Sequence, residues 1–146
     1  MTRSDSFVIV VGVDGSPSSL AALDWAVTEA RLRHGEIRLV TAWYYPPLAS
    51  EVSDGVIDDT FKNDAEQVLA KALRIVADEG VPVTGTVAEN SPATALLDAA
   101  KDADLVIVGS RGHGGFASLL LGSVSSQVVH HAHCPVLVVR PNDEAD

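Results

Sequence analysis

A chain of 146 residues, 47% of them hydrophobic, is long enough for one ordinary domain with a real core, and residues 1–146 are expected to form that single unit. Acidic residues outnumber basic ones 20 to 10, and the formal charge of -10 argues against nucleic acid and anionic membrane surfaces as partners, since both are held through clustered Lys and Arg. Cys134 is the single cysteine, so no internal disulfide and no cysteine cluster for zinc or iron–sulfur can form, as in a reducing compartment. The first six residues carry no apolar signal core and the run that follows is far too short to span a bilayer, so a cytoplasmic location is expected.

Residues 7–13 are a nearly unbroken apolar run rich in Val and Ile, the pattern of a central parallel strand covered on both faces. Ser16 and Pro17 then supply an N-cap and a first helical position. Leu20, Leu23, Val27 and Ala30 recur at helical spacing, and His34-Gly35 gives a stop. Residues 37–42 read as a second strand, and residues 43–59 as a loop with little periodicity. Phe61, Ala65, Val68, Leu69, Ala72 and Ile75 place an apolar stripe on a second helix, ended by Gly80 and Pro82. A third strand is expected over residues 83–88, a helix after Ser91-Pro92, and a fully buried strand over residues 105–108. A loop over residues 109–121, a helix over residues 124–132 and a fifth strand at residues 136–139 complete the chain.

Strand and helix alternate throughout, which predicts an α/β fold: a five-stranded parallel, doubly wound, Rossmann-like sheet with helices on both faces. Ligands in such sheets sit beyond the carboxyl ends of the strands, where strand order reverses. The reversal is expected between strands one and four, which points to Asp14-Gly15-Ser16 and to Gly109-Ser110-Arg111-Gly112. The second segment continues through His113-Gly114-Gly115 to Gly122-Ser123 at a helix start. Glycines let backbone amides converge on phosphate oxygens, and a helix start presents its positive end, so a phosphate cradle is one reading. A plain Gly-rich connection is the other.

The spacing Gly109-x2-Gly112-x9-Gly122-Ser123 resembles the glycine motif of the ATP-binding universal stress proteins. Residues 11–16 look like that family's first strand and turn, and residues 133–139 resemble its closing strand, so the likeness covers essentially the whole chain. The resemblance implies that Asp14 binds the ribose hydroxyls, the backbone of Ala42 reads the adenine edge, and Val13 and Val108 flank the base. It implies that Gly109, Gly112, Gly122, Ser123 and Val124 surround the phosphates, with Mg²⁺ accompanying ATP. It also implies a two-fold homodimer through the apolar strand Val136–Val139, an edge that would otherwise invite aggregation.

Asp14 has a second reading as a helix cap, a task Ser16 can perform. Arg111 is either a phosphate contact or merely solvated, and Trp43-Tyr44-Tyr45 either cover the base or pack on their own domain. Glu89-Asn90-Ser91-Pro92 stands where many relatives have a glycine, and a left-handed Asn90 would preserve the turn. His113, His130, His131 and His133 lack the four-ligand spacing of a zinc site and suit a helix C-terminus. No G-x-G-x-x-G follows strand one and no G-x-x-x-x-G-K-[ST] occurs, which removes the usual dinucleotide and P-loop fingerprints. The expected function is a nucleotide-dependent switch or binding module with at most slow ATP hydrolysis. The alternatives are a nucleotide-independent dimeric interaction protein and a flavodoxin-like carrier holding a flavin phosphate on residues 15–19.

Overall fold

The computed structural model describes residues 6–44, 59–111 and 121–141. Residues 45–58, most of the expected loop after the second strand, lie outside it, as does the stretch 112–120 with Gly112 and His113.

The chain runs β1 (Val8–Gly12), α1 (Pro17–Arg33), β2 (Glu36–Trp43), α2 (Thr60–Val76), β3 (Val83–Glu89), α3 (Pro92–Ala99), a short 3₁₀ turn (Ala100–Asp102), β4 (Leu105–Gly109), α4 (Ser123–His131) and β5 (Val136–Val139). The five strands form one parallel sheet in the order β3-β2-β1-β4-β5. The chain steps one way from β1 through β2 to β3, then returns to place β4 and β5 on the other side of β1. Right-handed crossovers in opposite directions put their helices on opposite faces. Accordingly Ile9, Val11, Leu39 and Ile107 pack with α1 and α2. Val10, Val40, Val106 and Val108 pack with α3 and α4. Residues 7–13 read as a continuous apolar run because β1 is central and covered on both faces.

Both Ser-Pro helix starts form as their chemistry requires. Ser16 and Ser91 are extended N-caps whose side chains accept from Ser19 N–H and Thr94 N–H, with Pro17 and Pro92 in the first turn. α1 stops at His34-Gly35 as expected, with His34 taking the left-handed conformation (φ 53°, ψ 45°). Gly35 answers a different need, since a Cβ there would lie 2.3 Å from the Phe7 carbonyl oxygen. The buried faces are also displaced from the sequence reading. On α1 the small residues Ala22 and Ala26 join Leu23, Val27 and Ala30 inside, while Leu20 is only half-buried. On α2 the inner residues are Ala65, Leu69, Ala72 and Val76, while Phe61 and Ile75 are exposed. The last helix begins at Ser123, one residue earlier than expected. Among the described residues no helix is long and apolar enough to cross a membrane.

Candidate functional site

Strand order reverses at β1, whose neighbours are β2 and β4, so the crevice lies between the carboxyl ends of β1 and β4 where the sequence placed it. On its β1 side the chain leaves the sheet along a fixed path. Val13 N–H donates to the Val40 carbonyl (3.0 Å), and the Val13 carbonyl accepts from the Thr41 hydroxyl (3.0 Å). Asp14 is exposed, Gly15 takes φ 85°, and Ser16 begins the cap of α1. Asp14 is not the helix cap. Its Oδ1 accepts the Ser16 N–H (2.9 Å), which orients the carboxylate, while Ser16 itself caps the helix.

On the β4 side, the two ends of the Gly-rich connection are drawn together at Ser110, which is 2% exposed. Its N–H donates to the Val139 carbonyl (2.8 Å), and its own carbonyl accepts from Gly122 N–H (2.6 Å) and the Ser125 hydroxyl (3.0 Å). The start of α4 is thereby held against the end of β4. Gly122 is the N-cap and offers no side chain to the helix's first amides; Ser123 is exposed and Val124 half-buried against the core. Gly122 adopts φ -74° and ψ 172°, open to any residue, so conformation alone does not demand glycine there. Gly109 is demanded by close approach: a Cβ would lie 2.5 Å from Ser18 Cβ and 2.6 Å from its carbonyl carbon.

The other expected residues flank this crevice. Ala42 is half-buried two residues beyond Val40, the last β2 residue paired with β1, so it lies where β1 has turned away. Val13 and Val108 are each 3% exposed, in cores on opposite faces of the sheet, so neither offers a ligand more than a sliver of side chain. Trp43 is half-buried, its carbonyl accepting from Asn90 N–H (2.9 Å), and Tyr44 is exposed. Asn90 does not use a left-handed backbone; its side chain accepts the Ser91 N–H (2.9 Å) instead.

Sequence reasoning missed that the hydroxyls of Ser18, Ser19, Thr41 and Ser125 are buried and bonded to the main chain around the crevice, and that Ser110, also buried, joins its two ends through its backbone. The available signal was polar residues at positions that helical and strand periodicity turn inward. The serines proposed for a flavin phosphate are among them. Ser16, Ser18 and Ser19 are 3%, 3% and 5% exposed and bonded within the fold, which removes the basis of the flavodoxin-like alternative. His130 Nδ1 lies 2.8 Å from the Ser126 carbonyl one turn earlier in α4. Two perturbed groups lie at the far, amino-terminal end of the sheet. The Asp102 hydrogen bond holds the Arg38 guanidinium above its ordinary value, and burial, aided by the Asp104 charge, pushes the Cys134 thiol up.

Comparison with known proteins places this architecture. A universal stress protein of Mycolicibacterium smegmatis is 36% identical over 149 residues, covering 94% of this chain but 49% of that protein, so the chain spans about half the length of the curated mycobacterial relatives it matches. Among solved structures, a universal stress protein in complex with cAMP is 28% identical with a TM-score of 0.72, covering 95% of this chain and 100% of that one. One from Archaeoglobus fulgidus in complex with dAMP is 26% identical with a TM-score of 0.71, covering 93% and 99%. The universal stress protein family matches residues 7–140, and the chain belongs to that family.

Proposed function

We propose that residues 1–146 form one ATP-binding module that acts in the cytoplasm as a nucleotide-dependent switch. The observation that carries this reading is the junction at Ser110, which brings the uncapped start of α4 beside the end of β4, across the crevice from Asp14. A protein of formal charge -10 has to hold phosphate by backbone amides and a helix start, and this junction supplies both. Asp14 takes the ribose hydroxyls and the Ala42 backbone the adenine edge. Gly109, Gly112, Gly122, Ser123 and Val124 surround the phosphates. Mg²⁺, when bound with the triphosphate, neutralises phosphate charge that the backbone alone meets only in part. The cAMP and dAMP complexes of relatives support an adenine nucleotide as the ligand class. Phosphoryl transfer needs a positioned water and cationic stabilisation, so hydrolysis is at most slow and nucleotide binding itself is the signal. Mg–ATP at a hundred times its dissociation constant should raise the stability of the folded chain by about 2.7 kcal/mol. Unfolding curves that coincide with and without Mg–ATP would contradict the reading.

A second copy of the chain is the partner we propose at β5. The two sheet edges differ: β3 presents Thr84, Gly85, Thr86 and Glu89 to solvent, whereas β5 is the run Val136–Val139, half-buried over its first three residues. A polar edge is protected against pairing and an apolar one is not. Two-fold pairing of β5 would cover it in both copies and would serve the nucleotide-independent interaction role equally well. Sedimentation should give a dimer at micromolar concentration, and a Val138→Lys monomer. A monomeric parent would remove the interface.

A further inference from the structure

The two sides of the crevice do not touch only through the sheet; both rest on the first turn of α1. Ser19 Oγ accepts the Asp14 N–H (3.3 Å) and donates to the Ser16 carbonyl (3.0 Å), which ties the ribose-side turn to the helix. One residue earlier, Ser18 Oγ accepts the Arg111 N–H (3.4 Å), at the start of the Gly-rich connection. Ser18 also fills the space where a Gly109 side chain would stand, with its carbonyl oxygen 2.8 Å from that ideal Cβ. Adjacent helix residues point about 100° apart. Two neighbouring serines can therefore serve different sides of one crevice, and both are buried, at 3% and 5% exposed. A hydroxyl at either position is not needed for the helix start, since Ser16 already caps it.

We infer that the first turn of α1 is a shared anchor for the site, with Ser18 the positioning residue for the phosphate side and Ser19 the positioning residue for the ribose side. The inference rests on the nucleotide-binding reading and adds how the site is organised. Ser18 holds the backbone at Arg111 in the path from which the connection meets phosphate. Without it the Arg111 backbone must be fixed by the ligand, and a ligand lacking phosphates meets no such demand. Ser19 holds the main chain of Asp14, which every adenosine-containing ligand meets. Nucleotide at either side therefore bears on the same helical turn, and α1 is the element through which occupancy of one side stiffens the other.

The test compares ATP and adenosine affinities for the full chain, Ser18→Ala and Ser19→Ala, with thermal unfolding as a control on folding. Ser18→Ala should lower ATP affinity about two- to tenfold and leave adenosine unchanged, the loss expected for one part-buried hydrogen bond. Ser19→Ala should lower both by the same factor with the unfolding midpoint little changed, and should quicken hydrogen exchange at the Asp14 amide, which Ser18→Ala leaves unaltered. The ratio of the two affinities is the decisive readout, because general loosening of the fold moves both ligands together. If Ser18→Ala fails to fold, Ser18→Cys, whose thiol is larger and a weaker acceptor than the hydroxyl, carries the same comparison. In addition, hydrogen exchange at the Arg111 amide should quicken in the Ser18 variant and not in the Ser19 variant. A parent that binds ATP while Ser18→Ala leaves the ratio unaltered would overturn the anchor and spare the nucleotide reading. A parent that binds no ATP would overturn both.

Discussion

Gly109→Ala is expected to be the most damaging single methyl in the molecule's functional half, costing about 3 kcal/mol and lowering the unfolding midpoint by about 6–12 °C. The reason is what the new atom meets. An ideal Cβ at Gly109 lies 2.5, 2.6 and 2.8 Å from the Cβ, carbonyl carbon and carbonyl oxygen of Ser18, and two of those three atoms are backbone in the first turn of a helix. They cannot rotate away. Either α1 tilts off the sheet or β4 bends at its carboxyl end, and both movements displace residues assigned to the nucleotide, so ATP binding should fall with stability. Gly12→Ala makes an informative control. Its Cβ would meet the Leu96 side chain at 2.9 Å, but through Cδ1, a methyl at the end of a flexible side chain, which can turn aside. A calorimetric scan showing Gly109→Ala no less stable than Gly12→Ala would mean that the packing of α1 on β4 is looser than described.

Asp14→Asn should have the largest effect on binding alone, weakening ATP about ten- to a hundredfold while barely moving the unfolding midpoint. Asparagine keeps an oxygen that can accept the Ser16 N–H, now 2.9 Å from Asp14 Oδ1, so the turn into α1 survives. What it loses is the charge and the second acceptor oxygen, the features that let a carboxylate take two vicinal hydroxyls at once. Asp14→Ala removes the turn bond as well and should be both weaker in binding and less stable. Unchanged ATP affinity in Asp14→Asn, with only Asp14→Ala less stable, would show that the role of Asp14 is the turn and not the ligand.

The architecture could be read from the sequence because its signals are local and repeated. The Val-rich runs of β1 and β4, each followed by a helix start, specify parallel strands, and the handedness of crossovers then fixes which face each helix takes. Ser16-Pro17 and Ser91-Pro92 were legible for the same reason: the cap is chemistry between neighbours. Where the reading went astray, the deciding partner was distant in sequence. The His34-Gly35 stop formed as read, but the need for glycine at residue 35 comes from the Phe7 carbonyl, far off in sequence, while His34 supplies the left-handed residue. Apolar spacing on α2 admitted Phe61 and Ile75 to the inner stripe; the structure turns Val76 inward and leaves both of them exposed. Asn90 is a local exception: it was assigned a left-handed turn, but its backbone is not left-handed and its side chain accepts the N–H of the next residue, Ser91. The site shows the same division. Asp14, Gly109, Gly122 and Ser123 were singled out from their places at strand and helix ends and from the family resemblance, whereas the contacts of Ser18 and Ser110 across the fold are ones that no spacing rule reveals.

The central claim is that the crevice between β1 and β4 binds ATP, and calorimetric titration of Mg–ATP into nucleotide-stripped protein tests it most directly. Saturable binding in the parent, weakened in Asp14→Asn with folding intact, is the predicted result. An absence of binding in stripped, correctly folded protein would contradict the account and leave the β5 surface as the seat of function.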